Sequence, residues 1–224
     1  SDRDRQEIVE RIRPTALIIH ETIRVEGKSE LCRPVSALAW SGLAAGLSMG
    51  FSLVAQGLLE ANLPDRSWRY IIVSLGYSIG FVIVVMGRQQ LFTENTLTVI
   101  LPLLSDRRRK VLMRVLRLWG IVLASNLLGA FIFASIVAQV GVFKPEFQTA
   151  FSEIGLRVLD GGFWTTLLRA IFAGWLIALM VWLLPAAESS QLWVIVIITS
   201  LVGLGEFPHI IAGSVEVFYA VAIK

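Results

Sequence analysis

His209, one of two histidines in the chain, stands inside an interruption of an apolar stretch, with Glu206 and Pro208 just before it. An unperturbed imidazole titrates near ~6.5, so in a pore it can exchange a proton with a weak-acid anion. The neutral acid could then cross a dry constriction without the cost of several kcal/mol that burying a bare charge carries. If a helix starts near His209, then His209, Gly213 and Glu216 share one face at i, i+4, i+7 spacing. The plain alternative is a histidine hydrogen-bonded inside a helix bundle. A second stretch rich in chemistry runs from Gly76 to Pro102. There Arg88, Gln89 and Gln90 end an apolar run, and Leu91 and Phe92 precede Thr93, Glu94 and Asn95, residues suited to starting a helix. A Leu-Phe pair in irregular backbone forms a hydrophobic constriction or anchors a membrane interface; composition leaves both open.

Arg88, Arg169, Glu206 and Glu216 border or interrupt apolar runs. Ionisable groups in such places are candidates for lining pore vestibules, although Arg88 and Arg169 could equally snorkel to an interface. Other chemistries find little support. A single cysteine, Cys32, and two histidines exclude a disulfide framework and a zinc centre. No cofactor is implied. A serine-histidine hydrolase would need Ser41 within reach of His209, but Ser41 lies in an unbroken apolar run and Ala39 occupies the place of the first glycine in a G-x-S-G turn.

The elements that must position these residues follow from composition. Of 224 residues, 55% are hydrophobic and 17% charged, with mean hydropathy +0.71; ordinary soluble domains carry about 25% charge. Fourteen of the charged residues fall within the first 33 positions. That pattern excludes soluble, disordered and collagen-like classes and predicts an all-α polytopic membrane protein. Uncharged runs cover Pro34–Leu59, Tyr70–Gly87, Leu118–Phe143, Ala170–Ala187 and Ser189–Gly205. Each fits a helix of about 17–25 residues crossing the hydrocarbon core. None alternates as a barrel strand would.

Asn95–Ser105 and Phe207–Lys224 are too short to cross and read as half-helices after the second and fifth spans. Irregular backbone in lipid is tolerated where it lines a cavity or is buried in protein. Breaks at corresponding places in two halves are the pattern of an inverted repeat with its site between them. The second half is then one helix short, and a sixth is expected after Lys224. Residues 88–117 carry seven basic and two acidic side chains, so the positive-inside bias puts that loop and the N-terminus in the cytoplasm. The expected division is a charged, amphipathic N-terminal segment over 1–33 and a transport domain over 34–224. Gly42, Gly46 and Gly50 form a stripe for close helix packing, within or between protomers.

Leu91-Phe92-Thr93, the two broken helices and the histidine in the second break resemble the formate/nitrite transporter family. Arg33-Pro34 before the first span, Asn126-Leu127-Leu128-Gly129 in the third and Ala178-Leu179-Met180-Val181-Trp182 in the fourth are similar too. The stretches RQQLFTENT and GEFPHIIAGSVE look like its YfdC-type branch. The resemblance covers about residues 28–224. It implies an aquaporin-like six-helix protomer, a homopentamer in the inner membrane with one pore per protomer, and small weak-acid anions as permeants. It makes His209 the central pore histidine, Leu91 and Phe92 the cytoplasmic constriction, Thr93 its loop threonine, Tyr77 and Phe81 pore-lining residues, and Val202 the outer gate position. Gly213 and Gly174 replace asparagines usual in the family, which predicts looser handling of formate. Membrane lipid and a small anion are the expected partners, with no nucleic acid. A neutral-solute channel of the same architecture lacks paired Asn-Pro-Ala motifs here, and a structural membrane subunit is the remaining alternative.

Overall fold

The computed structural model describes residues 14–139, 142–159 and 161–223; the part of the N-terminal segment expected over 1–13 lies outside these. Among the described residues there is no strand. Ten α-helices follow in order: α1 (Ala16–Glu30), α2 (Val35–Asn62), α3 (Arg69–Met86), α4 (Asn95–Thr98), α5 (Ile100–Ser105), α6 (Arg109–Gln139), α7 (Pro145–Leu159), α8 (Phe163–Ala187), α9 (Gln191–Leu204) and α10 (Ile210–Ala222). The stretches Val35–Asn62, Arg69–Met86, Arg109–Gln139 and Phe163–Leu204 are long and apolar enough to cross a membrane. The last of these turns back on itself at Glu188, whose φ is +36°. Gln191 reaches the Leu184 carbonyl at one end of the α8–α9 pair, and Phe207 stacks on Phe172 at the other. The two helices are therefore antiparallel, and the last two apolar runs are separate helices.

Both expected breaks are present and built alike. After α3, the Arg88 and Gln89 amides donate to Val85 and Val84; after α9, the Glu206 and Phe207 amides donate to Gly203 and Val202. Each is a Schellman closure, which needs a left-handed residue just past the cap. Arg88 and Glu206 supply it, both at φ +48°. These two lie 118 positions apart, and the same offset separates Ser78 from Val196, whose carbonyl accepts from the Ser78 hydroxyl at 3.2 Å. Equivalent positions of the two halves thus meet where α3 crosses α9, as an inverted repeat requires.

The glycine stripe packs within the protomer. A Cβ on Gly46 would run into the Asn126 carbonyl of α6, and one on Gly129 into the Leu43 carbonyl of α2, so these backbones approach more closely than side chains allow. One element was not foreseen: α7, whose Ala150, Phe151 and Ile154 are buried while Glu153 faces out. Phe151 fills the space over Gly57 of α2 and meets Tyr219 of α10 edge-on at 5.7 Å. The expected half-helix over 95–105 also divides, at Val99, into α4 and α5.

Candidate pore and its outer cavity

The two breaks meet at His209. Its Nε2 lies 2.8 Å from Thr93 Oγ1, joining residues 116 positions apart. On the other side of the ring, Nδ1 accepts the Ala212 amide at 3.3 Å and caps the N-terminus of α10. An amide can only donate, so Nδ1 carries no proton here; the neutral ring holds its proton on Nε2 and gives it to the threonine oxygen. Phe81 meets the imidazole edge-on at 5.0 Å, and Tyr77 lies 5.4 Å from Phe81. Leu91 and Phe81 are fully buried and Phe92 packs on the same cluster. Phe81, Leu91 and Phe92 thus belong to one apolar cluster that reaches the imidazole through Phe81.

On the opposite side lies a cavity of about 100 Å³. His209 forms part of its wall, together with Tyr77, Val202, Gly213 and Glu216. Arg157, Arg169 and Glu206 line it as well. Of the residues named from the sequence, the cavity therefore collects Tyr77, Arg169, Val202, Glu206, His209, Gly213 and Glu216. Thr93, Phe81, Leu91 and Phe92 do not line it; Thr93 and Phe81 touch the ring of His209. Arg88 is elsewhere: its side chain is 83% exposed and faces Glu26 of α1 at 3.5 Å. Gly174 is exposed on α8 and does not line the cavity.

Two sets of supporting contacts could not be read as contacts from the sequence. Asn126, fully buried on α6, holds the Leu-Phe loop: its amide nitrogen donates to Gly42 and Gln90 carbonyls at 2.7 and 2.8 Å, and its oxygen accepts the Phe92 amide at 2.9 Å. Ser41, considered above as a nucleophile, accepts the Gln90 amide at 3.1 Å and so anchors that loop. At the cavity mouth Arg157 forms a two-pronged pair with Glu60, at 2.9 and 2.7 Å. These bonds push the guanidinium pKa above its ordinary value and tie α7 to the end of α2. Only the Asn-x-x-Gly motif hinted at the first, and nothing hinted at the second.

The formate/nitrite transporter family model matches residues 18–224. The chain belongs to that family. It is 43% identical to the inner membrane protein YfdC of Escherichia coli over 95% of this chain and 68% of that protein. It is 27% identical to the formate channel BtFdhC of Bacillus thuringiensis, over 74% of this chain and 64% of that one. Among solved structures, a pentameric formate channel with formate bound superposes with TM-score 0.75, at 21% identity over 84% of this chain and 76% of the other. An ion channel of the same family gives TM-score 0.78, at 16% identity over 91% and 82%. The expected all-helical channel fold is thereby established.

Proposed function

We propose that the protein is a channel or transporter for small monovalent weak-acid anions of the formate and nitrite type, and that His209 exchanges a proton with the permeant. The contact that supports this reading is the His209–Thr93 bond, which holds an imidazole in the wall of a cavity and beside an apolar cluster of Phe81, Leu91 and Phe92. An anion entering the cavity meets cationic Arg157 and Arg169 first. At the floor it meets a wall of Phe81, Leu91 and Phe92, where a bare charge is penalised by several kcal/mol. Protonation lets it continue as the neutral acid.

The capping geometry defines how His209 takes part. A neutral imidazole with its proton on Nε2 has no proton to spare. The ring must first be charged at Nδ1, which releases the Ala212 amide and loosens the first turn of α10. The imidazolium then hands a proton to the anion and recaps the helix. In this reading Leu91 and Phe92 form the cytoplasmic constriction, Thr93 orients the ring, Tyr77 and Val202 line the outer chamber, and Arg88 sits at the cytoplasmic mouth. The N-terminus is cytoplasmic, the protein resides in the inner membrane, and five copies assemble with a pore in each.

Uptake of labelled formate into proteoliposomes, with and without an inward proton gradient, tests the proposal. His209→Gln keeps size and hydrogen bonding but cannot titrate. It is expected to lose the pH dependence of flux while folding and assembling normally. An unchanged flux and pH profile in that variant would overturn the role of His209.

A further inference from the structure

His209 is locked as a helix cap on one nitrogen and engaged by Thr93 on the other, so something must deliver the proton that charges it. Glu216 is placed to do so. It lies seven residues on, along the same face of α10, and lines the same cavity. Its side chain is buried, and it forms no salt bridge among the described residues. A carboxyl group can hold a proton as a donor and take one back as an acceptor.

The space between the two groups is kept bare by Gly213. A Cβ there would meet only Val158 at 3.8 Å and Glu216 Oε2 at 4.0 Å. These are ordinary contacts, so packing does not demand glycine, and no left-handed backbone demands it either. Glycine inside a helix nevertheless costs about 1 kcal/mol relative to alanine. What its absence of side chain provides is a gap beside the carboxylate, in a cavity of about 100 Å³. A water needs roughly 10–15 Å³ of such space, so the gap admits a short water chain or the permeant itself.

We propose that Glu216 is a second proton-exchanging group, which charges His209 across the gap over Gly213; this rests on the proton exchange assigned to His209 above. The carboxyl O–H bond breaks as its proton passes to a water in the gap, and that water gives a proton to His209 Nδ1, forming the N–H bond. The imidazolium passes that proton to the anion, giving the neutral acid, and the Glu216 carboxylate takes a fresh proton from the outer solution. One anion and one proton are consumed for each neutral acid formed. Sharing the cavity with Glu216 are Gln56 of α2, Tyr70 and Tyr77 of α3, Arg157 of α7, Arg169 of α8, and Glu206 and His209 of the break. Glu60 stands behind Arg157, and α6 carries no ionisable side chain from Leu118 to Gln139.

Formate flux measured against external pH distinguishes this arrangement. Glu216→Gln is expected to lose about tenfold in flux at neutral and alkaline external pH, where the relay limits recharging. Near pH 5, where solvent protons are abundant, its flux should approach that of the wild type. Glu216→Asp should restore most of the profile. Gly213→Asn, which fills the gap, should reproduce the Glu216→Gln profile, and adding Glu216→Gln to it should change nothing further. Thermal unfolding and particle mass of each variant separate these effects from misfolding. If the wild type and His209→Gln behave as expected while Glu216→Gln keeps the wild-type profile, the relay is wrong and the reading of His209 stands. If the wild type shows no pH-dependent formate flux, both fall.

Discussion

Asn126 commits its whole side-chain amide to joining the Leu-Phe loop to α2, and no aliphatic residue could substitute for it. Two carbonyls and one amide from residues 42, 90 and 92 converge on it in a fully buried position. A buried backbone group left without a partner costs about 1–3 kcal/mol. Asn126→Ala should therefore lower stability by about 2–4 kcal/mol, read as a fall in the unfolding midpoint in detergent. Asn126→Asp keeps the bond to Phe92 but turns a carboxylate oxygen toward both carbonyls in a buried site, and should be at least as destabilised as Asn126→Ala. Equal stability in all three proteins would show that the loop is held by other contacts. His209 and Leu-Phe were legible as chemistry because their types are rare or bulky at a break. Asn126 was visible only as part of a motif, since an asparagine in an apolar run does not say which distant carbonyls it will meet. The Glu60–Arg157 pair was illegible for the same reason: its members are 97 positions apart, and charge counting sees only two balanced loops.

At the scale of elements, hydropathy located the passes and breaks because lipid admits few alternatives. It did not reveal α7, whose apolar face is short; that helix is held by Phe151 against α2 and α10, a tertiary effect. The breaks themselves hold a testable strain. Arg88 and Glu206 occupy left-handed conformations that cost an L-residue roughly 1–2 kcal/mol, and glycine most often takes this place. Arg88 is the cleaner case, since its pairing with Glu26 is exposed and worth little. Arg88→Gly should leave stability unchanged or slightly higher, the relief of strain offsetting the greater freedom of glycine in the unfolded chain. Arg88→Val, with a β-branched side chain, should lose about 1–2 kcal/mol. The two variants should separate clearly in thermal unfolding; if valine is as stable as glycine, the Schellman closure does not hold the break.

For the molecule as a whole, the outward faces decide how it assembles. The stripe Gly42–Gly46–Gly50 is consumed inside the protomer by α6, so it offers no surface for a neighbour. What remains outside is broadly apolar: Trp40 on α2, Phe131 on α6, Trp175 on α8 and Trp193 on α9 are all more than half exposed. Lipid can cover such surfaces, so exposure alone does not demand a partner, and helix association in a bilayer depends on packing rather than on burial from water. The pentamer proposed here draws on the likeness to a pentameric formate channel, with these faces divided between lipid and neighbours. A mass measurement in mild detergent should give five times the 24.8 kDa of the chain. Each protomer has its own cavity and its own His209, so flux per protomer should be the same whether neighbours are active or not. Mixed pentamers of wild-type and His209→Gln chains should then show pH-dependent flux in linear proportion to the wild-type fraction. A stable monomer would remove the assembly, and a steep nonlinear loss would place the conducting path between protomers rather than through the contact of Thr93 and His209.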